Sequence, residues 1–525
     1  MEGKRSSRLN GQGRPEKMEL ELGCALAEAT PDHAEAVKGD EFMIPNMWFD
    51  PRLVYIGGQW RKPASGETIA IINPSYGEEI ARLARGGAAD VDAAVDAAHT
   101  AFNGEWGRVD AASRGRLLYR LAQLVKAQGE TLAMLECVDV GKPISQCRAD
   151  VTVLARYLEF YAGAADHLHG ETIPYRNGHT VLTLREPHGV TGHIIPWNYP
   201  MQIVGRSVGA SLAAGNACVL KPAEEASLSS LALAGLIEEA GFPKGVYNVI
   251  TGLGSEAGAA LAAHARLHHV SFTGSVGVGT LIQTAAAQNV VPVTLELGGK
   301  SPHIVFDDVD LDMALPTLVG ACMQAAGQTC SAASRVLIQR GVYEEVLRRM
   351  GGIYETMIGG PADKDFRLGP VVSAKQKAMV DGFIAKGADL KVAARGGVDA
   401  SAPKAGFFVT PTLFRDVPPD HVLAQEEIFG PVQVAIPFED EAEAIAIANG
   451  TKFGLVAGVW TQDGGRQMRL ARALNVGQVF VNNYGAGGGV ELPFGGTGQS
   501  GHGREKGFEA LYGFTRLKTV VLKHG

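Results

Sequence analysis

Hydrophobic and polar positions change period several times along this chain, and each change marks a different kind of element. Between Leu53 and Ala84 the runs LVYIGGQWRK and ETIAIINPSYGEEIARLA alternate apolar with polar, with Gly and Asn-Pro punctuation. That pattern predicts short β-strands joined by turns. At Asp90 the period lengthens. DVDAAVDAAHTAF sets Val91, Val95 and Ala98 on one helical face, with Asp90 read as the N-cap, and Ala-rich helical sequence continues to about Ala165. From His188 the strand-like runs GVTGHIIPW, ACVLKP, VYNVITG and HHVSFTG alternate with the helical runs PMQIVGRSVGASLAAG, LSSLALAGLIEEAG and SEAGAALAAH. Strand–helix alternation with Gly or Pro at the strand ends predicts a parallel α/β sheet. A second alternating block, from about Leu297 to Gly507, predicts another α/β domain. The terminal TRLKTVVLKHG reads as a single strand, whose backbone must pair within this chain or with another subunit.

A chain of 525 residues has room for two or three domains. With 46% hydrophobic and 20% charged residues it can bury an ordinary core without disulfides or a metal. The net charge of −8 argues against a nucleic-acid partner, because displacing counterions from phosphates requires a basic face. The six cysteines form no C-x-x-C pair, which argues against a zinc knuckle or dithiol redox site and suits a reduced, cytoplasmic setting. No apolar run approaches the roughly 20 residues of a membrane helix. The N-terminal segment has no apolar signal core, and Glu16, Glu19, Glu21, Glu28, Asp32, Glu35, Asp40 and Glu41 make it too acidic for a mitochondrial transit peptide. Residues 1–46 are therefore read as a disordered extension, or as sequence upstream of a true start at Met43 or Met47.

Several residues invite chemistry. Cys330, in GQTCSA, is flanked by small residues that let a substrate carbon approach. Beside a helix N-terminus or a cation its thiol pKa would fall and it would act as a nucleophile. A single cysteine is equally well a small buried hydrophobe. Glu296 interrupts an apolar strand just before Gly298 and Gly299, a setting for a general base, or for a carboxylate satisfied by a turn or by Lys300. Asn198 lies in the Pro-flanked turn of IIPWNYPM, where its amide could meet an oxyanion or simply build the turn. Lys221 ends a strand with Glu224 three residues on, and Gly274 and Ser275 lie where a helix N-terminus could receive a pyrophosphate. SFTGSVGVG is not a full G-x-G-x-x-G, so this turn alone is a weak signal. Glu224 would accept a ribose diol and repel a 2′-phosphate, favouring NAD over NADP.

Taken in order, PWNYP, LKPAEEA, GFPKGVYNVITG, SFTGS, LELGGKSP, GQTCSA, EEIFGPV and PFGG with SGHGRE resemble the aldehyde dehydrogenase superfamily over roughly residues 50–525. Glu296 stands 34 residues before Cys330 and Glu427 stands 97 after it, spacings similar to the family's. The resemblance implies that Cys330 is the nucleophile, Glu296 the base that activates water, and Asn198 an oxyanion donor together with the Cys330 backbone N–H. It implies a cofactor site of Ile195, Trp197, Lys221, Glu224, Gly274, Ser275, Gly298, Glu427 and Phe429, taking NAD. The implied fold is α/β: a Rossmann-like cofactor domain (47–166 and 188–297), an α/β catalytic domain (298–508) and a small β oligomerisation flap (167–187 and 509–525). The partners implied are a small-molecule aldehyde and further copies of the chain, as a homodimer or homotetramer, with no metal and no membrane. Because relatives that pass the acyl group to coenzyme A do not rely on a base at position 296, Glu296 implies water as the acceptor.

The sequence also departs from that family. Arg206 stands where relatives often carry Trp or another large side chain, Ser207 where Lys is common, and Gln324 where an aromatic is frequent. Gly485, Gly487, Gly488 and Gly489 replace a bulky anchor, and Thr497 and Gly498 depart from the residues usual after PFGG. With Tyr199, Arg206 and Gln324 as candidate substrate contacts, a wide and polar entrance is expected, and a polar, charged or aromatic substrate. Arg206 could pair with a substrate anion, pair with a protein acid or line a subunit contact, whereas VELPFGG resembles members acting on amino-aldehydes and betaine aldehyde, which are cationic. Two other readings compete with the enzyme. A non-catalytic relative would have lost Cys330, Glu296 or Asn198. A cysteine hydrolase would need a histidine partner.

Overall fold

The five strands that organise the cofactor half are β1 (Val190–Ile194), β2 (Ala217–Lys221), β3 (Tyr247–Val249), β4 (His269–Thr273) and β5 (Val293–Glu296). In the computed structural model, which describes residues 44–485 and 489–525, they form the parallel centre of an eight-stranded sheet. Their order is β3-β2-β1-β4-β5. All five read as apolar runs because both faces are covered. The chain steps outward from β1 through β2 to β3, then returns to the opposite side of β1 for β4 and β5. That reversal opens a crevice at the carboxyl ends of β1 and β4. Val54–Ile56 with Gln59–Arg61 closes one edge and Gly501–His502 the other.

The second sheet has seven strands. At its middle lie β6 (Pro302–Val305), β7 (Arg335–Gln339) and β8 (Val432–Phe438). Val456–Trp460 and Gln478–Val481 extend it beyond β6. Thr412–Arg415 continues it beyond β8, to an antiparallel edge strand at Lys391–Arg395. Each sheet has its own hydrophobic cluster. The expected pair of α/β layers is thus observed.

The helix expected from Asp90 begins earlier, at Ala88, and runs to Asn103. Val91, Val95 and Ala98 are buried as their spacing requires. Asp90 is not the N-cap. Gly87 takes that position, and the Asp90 carboxylate, one turn in, accepts hydrogen bonds from Gly87 N and Ala64 N, each at 3.0 Å. A carboxylate at the third helical residue reaches back to the cap N–H, so it signals the helix start with an offset. The terminal strand, Thr515–Lys523, finds its partner within the chain. It pairs antiparallel with His179–Pro187, and Thr172–Ile173 adds a third strand. Gly507–Gly513, just before it, is helical and packs into the first core through Ala510 and Leu511. The expectation for residues 1–46 falls mostly outside the described residues, although Ile44 and Met47 pack against the first core. Gly487 and Gly488 also lie outside them. No helix among the described residues is long and apolar enough to cross a membrane.

Two buried histidines make the fold acid-sensitive. His193 in β1 bonds Thr191 Oγ1 at 2.9 Å, and His303 in β6 accepts from Trp460 Nε1 at 2.9 Å. Burial holds both rings at a pKa of about 3, against an ordinary value of 6.5. Below pH 6.5 the unfolded chain takes up protons that the folded chain refuses. Stability is therefore full above that pH and lost as pH falls toward 3. Each ring should cost roughly 2 kcal/mol between pH 6.5 and 5. Denaturant melts at several pH values should show this slope, and His193→Gln should remove about half of the part due to these two rings.

Candidate active site

Where β5 ends, the chain crosses from the carboxyl edge of the first sheet to the start of β6 through residues 297–301. Glu296 is the last strand residue, opposite Thr273 in the register, and its carbonyl accepts from Gly274 N at 3.0 Å. Close approach of backbone requires Gly299, and Gly298 leaves room for the Glu427 carboxylate. A Cβ on Gly298 would lie 2.2 Å from Glu427 Oε2, and one on Gly299 would lie 2.4 Å from the Cys330 carbonyl oxygen. The Gly299 N–H donates to Glu427 Oε1 at 3.0 Å. The two glycines thus let the loops leading into β7 and β8 meet the end of β5.

Cys330 is delivered by a strained turn. The helix Leu311–Met323 stops at Gln324, and Ala325, Ala326 and Gly327 all adopt positive φ (49°, 54° and 77°). Left-handed alanines cost of order 1 kcal/mol or more each and persist only where surrounding structure imposes them. At Gly327 a Cβ would lie 2.1 Å from Gly430 O, so no larger residue fits. Gln328 anchors the turn. Its Nε2 donates to Ala325 O at 2.9 Å and its Oε1 accepts from Val372 N at 2.9 Å. Its carbonyl accepts from Asn198 Nδ2 at 3.0 Å, tying Asn198 to the Cys330 loop.

Cys330, Glu296 and Asn198 line one cavity of about 320 Å³. Of the other predicted residues, Trp197, Gly274, Ser275, Gly298, Glu427 and Phe429 line it too, as do Tyr199, Arg206 and Gln324. Trp197 and Phe429 meet edge to face, their centroids 5.4 Å apart. Ser275 caps the helix Val276–Ala287, accepting from Val278 N at 3.4 Å, and no acidic residue stands in its first turn. Ile195, Lys221 and Glu224 do not line the cavity. Ile195 N bonds Lys221 O at 3.1 Å, which places them together at the carboxyl edge of β1 and β2. Lys221 Nζ and Glu224 Oε2 pair at 2.8 Å.

At the thiol, burial outweighs the nearby Arg206 cation. No helix begins at Cys330, and burial pushes its pKa up to about 12, with Arg206 only partly opposing. Burial, reinforced by Glu505 and opposed by Arg206, also holds the Glu296 carboxyl well above the usual range. Neither Glu296 oxygen nor Lys300 Nζ has a hydrogen-bond partner among the described residues, so a Glu296–Lys300 pair is ruled out. Burial raises Glu427 to about 7.

Of the alternatives left open for Arg206, pairing with a protein acid is observed. Arg206 lines the cavity, and its Nε pairs with the buried Glu505 carboxylate, whose other oxygen accepts from Ser271 Oγ at 3.1 Å. The guanidinium also lies over the Phe494 ring at 5.1 Å. The segment around it, Val204–Val208, is a π-turn, a local expansion that redirects side chains at functional sites. Sequence reasoning missed Glu505 and Phe494, although SGHGRE and PFGG flagged their segments. A second cavity, near 630 Å³, shares Gln202, Gln324 and Ser331 with the first and reaches out past Arg367 and Tyr484. Tyr199 is half-buried at the N-terminus of the helix Pro200–Ile203.

Known proteins resemble this chain over most of its length. The model of the aldehyde dehydrogenase family matches residues 60–520. A hydroxyisobutyraldehyde dehydrogenase from Mycolicibacterium austroafricanum is 43% identical over 475 residues, which is 90% of this chain and 93% of that protein. A crystal structure from Burkholderia cenocepacia, of a protein named as a candidate aldehyde dehydrogenase, is 61% identical with a TM-score of 0.90 and covers 90% of this chain and all of that one. The NAD+ complex of an aldehyde dehydrogenase from Bacillus cereus is 40% identical with a TM-score of 0.87, covering 90% of this chain and 96% of its own. Because the match runs through both sheets and through every loop that lines the cavity, the chain belongs to the aldehyde dehydrogenase family.

Proposed function

We propose that this protein oxidises a carboxylate-bearing aldehyde to the acid, with NAD as the hydride acceptor and a thioester on Cys330 as the intermediate. The observation that carries the reading is the single cavity lined by Cys330, Glu296 and Asn198 beside the crevice of the first sheet. Among the described residues no histidine lines that cavity, which disfavours a cysteine hydrolase.

The crevice suits a dinucleotide. The N-terminus of the helix Val276–Ala287, with Gly274 and Ser275 before it and no acid in its first turn, offers N–H groups to a pyrophosphate. Lys221 and Glu224 offer a cation and a carboxylate to the adenine ribose, and the carboxylate disfavours a 2′-phosphate. Glu427, with Trp197 and Phe429 beside it, offers an acceptor to the nicotinamide ribose. When bound, NAD supplies the acceptor for the hydride that leaves the substrate carbon.

The protein's own groups do the rest. Cys330 gives up its proton to solvent, its thiolate sulfur bonds to the aldehyde carbon, and the carbonyl π pair moves onto oxygen. Asn198 spends one amide N–H on Gln328 and keeps a second for the oxyanion, beside the backbone N–H of Cys330. After hydride loss a thioester remains. Glu296 takes a proton from water, the hydroxyl adds to the thioester carbon, and the C–S bond breaks to release the acid and restore the thiol. A carboxyl with a raised pKa is the stronger base for this step.

Arg206 supports the substrate class. Its Nε pairs with Glu505 and its side chain lines the cavity, so we read the guanidinium as the partner of an anion there. The test compares kcat/KM for a semialdehyde acid, an aromatic aldehyde and an amino-aldehyde. The acid should be preferred, and Arg206→Ala should cost it roughly 10- to 100-fold beyond any loss on the aromatic aldehyde. Equal losses on all three would overturn the substrate class. Absence of NAD-dependent oxidation with every aldehyde would overturn the activity.

A further inference from the structure

Beneath the Asn198 turn lies a charged cluster that the reaction does not use. Lys142 sits in the loop between the helices Gly129–Val140 and Ile144–Ala164, its side chain without solvent exposure. Its Nζ pairs with Glu136 from the first helix and with Asp150 from the second, both of them buried. Each member of the cluster also touches the residues that follow Asn198. Lys142 Nζ lies 4.3 Å from the centre of the Tyr199 ring. Glu136 Oε2 accepts from Met201 N at 3.3 Å, and Asp150 Oδ1 accepts from Gln202 Nε2 at 2.5 Å.

Three buried ionisable groups are an expensive way to fill a core, because desolvation rivals their attraction and apolar residues of similar volume often do as well. Here their spare acceptors serve the start of the helix Pro200–Ile203. Tyr199 at its N-cap makes no capping bond, so Met201 N would otherwise be one of the orphan donors of a helix start. Asn198 therefore has two anchors. Gln328 holds it from the Cys330 side, and the cluster holds its chain neighbours from the opposite side.

We infer that Lys142, with Glu136 and Asp150, is a positioning centre that aims the Asn198 amide at the oxyanion. The inference rests on the role proposed above for Asn198. A displacement of about 1 Å at a reacting group can cost on the order of 100-fold, so loosening this anchor should reduce the rate of the chemical step.

The test is a double-mutant cycle read by the pre-steady-state burst of NADH, with the best of the three aldehydes, normalised to folded active sites. Lys142→Met should slow the burst roughly tenfold or more in the wild-type background. In an Asn198→Ala background it should slow it by less than about twofold, because nothing remains to be aimed. KM for NAD should not change. Equal slowing in both backgrounds would mean a general structural role and would overturn the inference, as would an unchanged burst. If Lys142→Met does not fold, Glu136→Gln is read in the same cycle. Its amide cannot accept from both Lys142 and Met201 as the carboxylate does, so the same pattern is expected and the same outcomes overturn it. Asn198→Ala alone is the separate check. A burst unchanged by that substitution would remove the role of Asn198 itself, independently of Lys142.

Discussion

Cys330→Ala is expected to abolish aldehyde oxidation, with a fall on the order of 10⁴-fold or more, as when other covalent nucleophiles are removed. No NADH burst should remain, because without sulfur no bond forms to the aldehyde carbon and no hydride is set free. Tm should change little, since Cys330 is only partly buried, at the edge of the small Leu455, Val456 and Phe494 cluster. The structure adds a pH signature. With burial holding the thiol at about 12, Cys330 in the cofactor-free protein is protonated at neutral pH. The thiolate is the reactive form. Alkylation of Cys330 by iodoacetamide should therefore rise about tenfold per pH unit from pH 7 to 9, instead of levelling off near the ordinary thiol value. Substantial oxidation by Cys330→Ala would refute the thioester.

Glu296→Gln should separate the two halves of the reaction. Acylation does not need this carboxylate, so a burst of one NADH per site should survive. Hydrolysis does need it, and the steady-state rate should fall by roughly 10² to 10⁴, the usual worth of a positioned base. The wild-type pH profile follows from the same residue. Burial and the nearby Glu505 raise the Glu296 pKa, and the active form is the carboxylate. Steady-state turnover should therefore climb with pH through that raised value and be lost below it. Glu296→Gln should flatten this limb while leaving the pH dependence of the burst. An unchanged steady-state rate would move the base elsewhere.

Much of this protein could be read from residues in order. Periodicity is local, and it located the strands from Val190 to Glu296 and the helices between them, because both faces of a parallel strand must be apolar. Gly298 and Gly299 marked a close approach before the approaching loops were known. Asp90 showed where local reading slips. A carboxylate favours both the N-cap and the third helical position, and only the observed bonds to Gly87 and Ala64 separate them.

The chemistry depended more on tertiary structure. The order of motifs along the chain was enough to nominate Cys330, Glu296 and Asn198. Their shared cavity exists because β5 hands the chain to β6 at the point where two loops of the second sheet arrive. Whether the thiol lay beside a helix N-terminus or a cation that would lower its pKa was left open by the sequence. Folding put it in a buried turn that raises that pKa, and burial cannot be inferred from flanking residues alone. Arg206 was ambiguous because Glu505, its partner, lies almost at the other end of the chain. The same holds for the terminal strand, whose partner, His179–Pro187, lies far back in the chain and could as easily have been another molecule. Sequence by itself determined which residues are apolar, which can react and how each segment curls, because those properties reside in neighbouring side chains. Which charges pair, which groups lose their water and which strand edges meet were decided only when distant segments packed together.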